Sequence, residues 1–163
     1  MQPGAYLCLL LAIGFFCGCS KSTETETKTE AVQKHEHHPP HGGTPVVLGD
    51  EEYHVELVLD AAAGKLQAFV FDGELENFVR IPAESIEIDA QVSGREEPLI
   101  LRAVANNATG EKVGDTSLFE IQADWLKTSP TFDGTLKEIV VRGKTYSNVK
   151  FNFPKGNDED AKK

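Results

Sequence analysis

The feature that most constrains this chain is a period-two alternation of apolar and polar residues between Thr44 and Phe153, interrupted regularly by turn residues. Such alternation places apolar side chains on one face of a β-strand and polar ones on the other. Residues 53–59 carry Tyr, Val, Leu and Leu at alternate positions, and residues 65–71 resume the pattern after a turn. These two segments are predicted to form a hairpin.

The same pattern predicts strands further along the chain, with a single helical turn at residues 125–127. The predicted strands cover residues 84–92, 98–104, 117–123, 135–141 and 144–153. About seven strands with almost no helix predict an all-β domain, an antiparallel β-sandwich, over residues 44–153. Residues 154–163 are charged and apolar-poor, so they are predicted to form a frayed, disordered tail.

The N-terminal residues 5–19 read AYLCLLLAIGFFCGC and carry no charge. A bilayer span needs about 20 apolar residues, so this shorter run is typical of a signal peptide. Its last four residues, 16–19, resemble a bacterial lipobox. Residues 1–18 are therefore predicted to be a lipoprotein signal peptide and Cys19 the lipid attachment point, which would anchor the protein to a membrane, exposed to the periplasm or the outside. The alternative is an ordinary secretory signal that is cut elsewhere.

Cysteine positions and charge exclude several classes of function. Cys8, Cys17 and Cys19 are the three cysteines of the chain, so residues 44–153 contain no disulfide, thiol nucleophile or Cys-ligated zinc. A Gly-x-Ser-x-Gly motif is also missing, and we predict that the protein is not an enzyme. The net charge is −10, and residues 46–153 hold 19 acidic and 10 basic residues, so nucleic acid is not expected as a partner.

Residues 19–43 are predicted to form a disordered tether that carries four histidines. Residues 20–34 are nearly all polar and cannot bury enough surface to order themselves. The histidines that follow are His35, His37, His38 and His41. Clustered imidazoles are ligands for Zn, Cu and Ni. The alternative is a low-complexity polar tail that binds metal only weakly.

A folded metal site is predicted where the first hairpin begins. Alternation puts His54 and Glu56 on one face of a strand, roughly 6.5–7 Å apart, and Asp60 has the same parity. His41 is close enough in sequence for the chain to fold back, so His41, His54 and Glu56 are the predicted ligands of a Zn or Cu ion. The additional candidates are Asp60, His35, His37 and His38. The alternative is that these residues simply form the polar face of an edge hairpin.

Several short segments together resemble a known bacterial domain. They are His41-Gly42-Gly43, Leu48-Gly49-Asp50, residues 53–58, Asp60, Gly64-Lys65, residues 69–72, 81–86 and 141–146. The set is similar to a small β domain of planctomycete-like bacterial lipoproteins, and to the segment preceding the core of some periplasmic adaptor subunits of heavy-metal efflux pumps. The resemblance covers about residues 41–152 and implies handling of a transition-metal cation through His41, His54 and Glu56. The chain is too short to hold the coiled-coil and lipoyl-like domains of those adaptors.

Two hypotheses of function follow. The first is a lipid-anchored cell-envelope protein that binds a divalent transition metal as a buffer, sensor or delivery protein. The second is a non-catalytic structural or protein-interaction module of the envelope that binds no metal and contacts another envelope protein.

Overall fold

The computed structural model describes residues 38–158, which form eight β-strands and one short 3₁₀ helix at Asp124–Lys127. The strands are β1 Thr44–Leu48, β2 Tyr53–Asp60, β3 Lys65–Asp72, β4 Ser85–Val92, β5 Arg95–Ala103, β6 Leu118–Gln122, β7 Phe132–Val141 and β8 Lys144–Phe153. The predicted all-β, antiparallel fold is confirmed, including the predicted hairpins β2–β3 and β7–β8. The predicted signal peptide, Cys19, His35, His37 and residues 159–163 lie outside the described residues.

All eight strands belong to one antiparallel sheet, in the order β1-β2-β3-β6-β5-β4-β7-β8. Twist between neighbouring strands curls this sheet until its two edge strands, β1 and β8, approach each other. The architecture is therefore a single nearly closed sheet, whereas the sequence predicted a sandwich of two. The strand that was not predicted is β1. Among residues 38–158, no helix is long and apolar enough to span a membrane.

The core fills the inside of the curled sheet with the apolar half of each alternating strand. Burial along β4 and along most of β3 follows period two, as alternation requires. The 3₁₀ helix adds Leu126, which is 0% exposed, to the same core. The largest side chains buried here include Leu48, Leu57, Leu66, Ile86, Ile88, Leu99, Leu101, Phe119 and Leu136.

The gap between β1 and β8 is sealed by side chains and by a C-terminal hook, residues 154–157. The side-chain amide of Asn157 accepts from the Val47 N–H at 2.7 Å and donates to the Val47 carbonyl at 3.1 Å. These are the two hydrogen bonds that a neighbouring strand would otherwise make with Val47. Thr44 also donates its hydroxyl to the Pro154 carbonyl at 3.1 Å. Residues 154–157 were predicted to belong to a frayed, disordered tail, but Pro154 and Asn157 hydrogen-bond to β1.

At the other end of this gap, the turn between β1 and β2 is joined to the start of β8. The Glu52 carboxylate accepts from the Tyr146 hydroxyl at 2.6 Å and forms an ion pair with Lys144. Together with the hook, this contact fixes β1 against β8 along its length. The position of β1 matters for function because β1 borders β2, which carries the predicted ligands.

Candidate functional site

Strand β2 is buried on both of its faces. Val55 and Leu57 face the core, whereas His54 and Glu56 lie on the opposite, outer face and are only 1% and 0% exposed. The predicted parity of His54 and Glu56 is therefore correct, but their face is not solvated. The chain segment that precedes β1, residues 38–43, contacts Glu56 on this face and helps to bury it.

Three hydrogen bonds converge on the buried carboxylate of Glu56. Its Oε1 atom accepts from the backbone N–H of His41 at 2.8 Å and of Gly43 at 2.9 Å. Its Oε2 atom lies 2.7 Å from Nδ1 of His41. Burial of an ionised carboxylate is tolerated when it is paired and hydrogen-bonded in this way. Glu56 thus fixes both the backbone and the imidazole of His41 on β2.

Local sequence brings the chain into this geometry. The Gly42 N–H donates to the Pro39 carbonyl at 3.0 Å, which closes a four-residue turn with Pro40 at its second position. Gly43 follows, and a Cβ atom added there would lie 2.5 Å from the carbonyl oxygen of Leu57. Only glycine permits such close packing of the chain against β2. The geometry of this contact therefore requires glycine at position 43.

The imidazole of His41 is held on its other side by aromatic rings. It stacks on Phe69, with ring centroids 4.0 Å apart and an interplanar angle of 13°. Phe71 and Phe78 complete the group, and these two rings stack on each other at 4.6 Å. The His41 side chain nevertheless remains 35% exposed. The ring is therefore fixed in position while part of it still faces solvent.

The Glu56 contact also determines which nitrogen of His41 is available for chemistry. The Glu56 carboxylate already accepts two backbone N–H groups, and in the same role it accepts the Nδ1–H of His41 at Oε2. In the neutral imidazole, Nε2 then has the free lone pair. Carboxylates in this position orient metal-binding and proton-accepting histidines in many proteins.

Among the described residues, His38, His54 and Asp60 do not form a ligand group with His41. Nδ1 of His54 donates to the Asp72 carbonyl at 3.3 Å, and Asp60 is exposed and accepts the Ala63 N–H at 3.1 Å in the turn after β2. His38 is also exposed. Within residues 38–158, no three His, Cys, Asp or Glu side chains form a group that could hold a metal ion.

A cleft that the sequence analysis did not predict lies beside the aromatic group. Its volume is about 290 Å³, and its lining includes Phe69, Phe78, Arg80, Asn106, Glu111 and Leu118. The sequence feature that could have indicated this cleft is Phe78, a large apolar residue in the connection between β3 and β4. Phe78 is 54% exposed, which is unusual for a phenyl ring on a fixed segment.

Glu111 is the most constrained polar group of this cleft. Its Oε1 atom accepts from the Ser117 hydroxyl at 2.7 Å and from the Ser117 N–H at 2.9 Å. Partial burial alone raises the pKa of Glu111, but hydrogen bonds from Thr109 and Ser117 and the charge of Arg80 outweigh burial and lower it below the usual value. Glu111 is therefore ionised at neutral pH.

Comparison with known proteins identifies no relative: no family model matches the chain, and no curated protein or solved structure is detectably similar to it.

Proposed function

We propose that this protein is a lipid-anchored cell-envelope protein that captures a divalent transition metal, Zn or Cu, at the junction between its tether and its β domain. His41 is the fixed ligand, and the neighbouring histidines His35, His37 and His38 supply further imidazoles. The observation that carries the proposal is the hydrogen bond between Nδ1 of His41 and the buried Glu56 carboxylate. In this proposal Glu56 orients His41 and is not itself a ligand.

The donor set explains the preference for Zn or Cu. Imidazole nitrogen binds both metals, whereas Ca and Mg prefer oxygen ligands. One fixed imidazole binds a metal weakly, but histidines three to six residues upstream are close enough to bind the same ion. The Pro39-Pro40 pair stiffens the chain between His38 and His41, which limits the conformational entropy that is lost when several imidazoles bind together.

Calorimetric titration of residues 20–163 with Zn²⁺ and Cu²⁺ tests the proposal. This range holds every described residue and no cysteine, so thiols contribute nothing to the measured affinity. We expect His41→Ala to weaken binding strongly and Glu56→Gln to weaken it about 10- to 100-fold. In Glu56→Gln the side-chain amide can donate to Nδ1 of His41. This favours the tautomer that carries its proton on Nε2, so Nε2 no longer has a free lone pair to bind the metal.

The matched control is Asp60→Asn, an exposed carboxylate on the same strand that should leave the affinity unchanged. Unchanged affinity in both His41→Ala and Glu56→Gln would contradict the proposal. If binding were lost only when His35, His37 and His38 are replaced together, the tether would bind metal as a polar His-rich tract, independently of the domain.

The exposed Phe78 favours a second candidate function, a non-catalytic binding module of the cell envelope that needs no metal. This candidate predicts that saturating Zn²⁺ leaves the melting temperature unchanged, because only ligands that bind the folded state stabilise it. The first candidate predicts that Zn²⁺ measurably raises the melting temperature, since His41 is ordered only when the domain is folded. Thermal denaturation with and without Zn²⁺ therefore separates the two.

A further inference from the structure

The lining of the cleft beside Phe78 combines two chemistries. The rings of Phe69 and Phe78 form its aromatic wall. Arg80, Asn106 and Glu111 form its polar wall. A molecule that fits both walls has an apolar face and hydrogen-bonding groups.

The aromatic wall is held rigid before any ligand arrives. Phe69 is stacked against His41, and Phe78 is stacked on Phe71 with an interplanar angle of 28°. Phe78 remains 54% exposed despite this support. A supported but exposed ring presents contact area without a large loss of side-chain entropy on binding.

The guanidinium of the polar wall is held in place by a carbonyl and two carboxylates. Nη2 of Arg80 donates to the Thr109 carbonyl at 2.5 Å, and the guanidinium lies 3.9 Å from Glu111 and 3.6 Å from Asp115. One guanidinium and two carboxylates sum to a charge of −1, so Arg80 is already paired and the cleft does not favour an anion. The remaining guanidinium N–H groups and the exposed amide of Asn106 can still hydrogen-bond to a ligand.

From these two walls we infer that the cleft binds a neutral saccharide. The C–H face of a pyranose ring would pack on Phe78 and Phe69, and its hydroxyl groups would bond to Arg80 and Asn106. A volume of about 290 Å³ is at the small end of ligand pockets and suits one or two sugar rings. The inference does not depend on metal binding at His41.

A saccharide fits this cleft better than an apolar side chain of a protein partner. A leucine or phenylalanine placed here would remove water from Arg80 and Asn106 without replacing its hydrogen bonds, which is unfavourable. The hydroxyl groups of a saccharide would replace the hydrogen bonds that water makes to these two side chains. At about 290 Å³ the cleft is also small, whereas protein interfaces have a larger apolar centre.

The test is NMR titration of the ¹⁵N-labelled full chain, kept in a mild detergent because of its apolar N-terminal run. The probes are chitobiose and cellobiose, two neutral disaccharides that differ in their acetamido groups. We expect at least one of them to shift the amide resonances of Asn106, Ser117 and Leu118. Phe78→Ala should weaken this binding about tenfold or more, and Asn106→Ala should weaken it as well.

Ile100→Ala is the control, because Ile100 is an exposed apolar residue on β5 outside the cleft. It should bind the disaccharide like the unchanged protein. If neither disaccharide shifts these amides at about 50 mM, where even a millimolar site is filled, the inference is overturned. It is also overturned if the capped tripeptide Leu-Phe-Leu shifts them and the disaccharides do not, since the cleft would then take a protein side chain.

Discussion

Nδ1 of His41 lies 2.7 Å from Oε2 of Glu56, although 15 residues separate the two in sequence. The Glu56 side chain is 0% exposed and that of His41 is 35% exposed, so a buried carboxylate hydrogen-bonds to an imidazole that partly faces solvent. The same carboxylate also binds the backbone of His41 and Gly43. Stability of the domain boundary and orientation of the proposed ligand therefore depend on one side chain.

The first prediction concerns the stabilising role of Glu56. We expect Glu56→Ala to lower the free energy of unfolding by about 2 to 3 kcal/mol, because it removes the acceptor for three donors and leaves a buried space. Urea denaturation followed by tryptophan fluorescence measures the change. Glu138→Ala, at an exposed position of β7, is the control and should change stability by less than about 0.5 kcal/mol. Equal effects in both variants would contradict this role.

The second prediction concerns Gly43. A Cβ atom there would lie 2.5 Å from the Leu57 carbonyl oxygen, so Gly43→Ala should push residues 38–43 away from β2. We expect faster hydrogen exchange at the amides of His41 and Gly43, whose acceptor is then out of reach. Gly42→Ala is the comparison: its φ of 66° strains alanine, but nothing lies within 4 Å of the added Cβ. Exchange at the position of Gly43 should therefore accelerate more in Gly43→Ala.

Much of the fold could be predicted from local sequence, because alternation and turns act over short distances. The hairpins β2–β3 and β7–β8 appear where the pattern places them. Strand β1 was missed because it has only five residues and contains Pro45, which is tolerated at a sheet edge. The pairing of β3 with β6 joins strands that are distant in sequence, and no local pattern reports it.

The candidate site was predictable only in part, for a related reason. Strand parity correctly placed His54 and Glu56 on one face, and the chain does fold back so that His41 meets Glu56. The sequence could not show that this face is buried, because the covering residues belong to other segments. The carboxylate of Glu56 consequently hydrogen-bonds to protein donors, an arrangement that depends on tertiary structure.

The third prediction concerns the C-terminal hook. Asn157→Ala removes both hydrogen bonds to Val47, and we expect a loss of about 1 to 2 kcal/mol in urea denaturation. It also leaves the edge of β1 open, and open edges pair with other chains. Analytical ultracentrifugation should therefore detect more self-association than in the unchanged protein. Asn107→Ala, in an exposed loop, should alter neither property.

The fourth prediction concerns acid stability through Asp72. Burial alone raises the pKa of Asp72, but hydrogen bonds from Asn77 and Glu76 and the charge of Arg142 outweigh it, so the pKa is lowered. A lowered folded-state pKa stabilises the protein above the usual pKa of Asp, about 4, and this contribution is lost as the pH falls through the lower value. Asp72→Asn should therefore flatten the fall in stability below about pH 4, measured by urea denaturation at several pH values. Asp50→Asn, on an exposed turn, should leave that slope unchanged.

The fifth prediction concerns the lipid anchor that would keep the proposed metal site at a membrane. If Cys19 carries the lipid, Cys19→Ala should abolish incorporation of radiolabelled palmitate in a bacterial host and move the protein from the detergent phase to the aqueous phase in Triton X-114. Cys17→Ala is the matched control, because it removes a thiol two residues earlier and keeps the acceptor. We expect this variant to retain both the label and the detergent partitioning. Labelling that persists in Cys19→Ala would place the lipid elsewhere, and the absence of label in the unchanged chain would favour an ordinary secretory signal. If Cys19 carries the lipid, it would be the first residue of the mature chain, and His35 to His41 would then lie a short polar sequence away from the anchor.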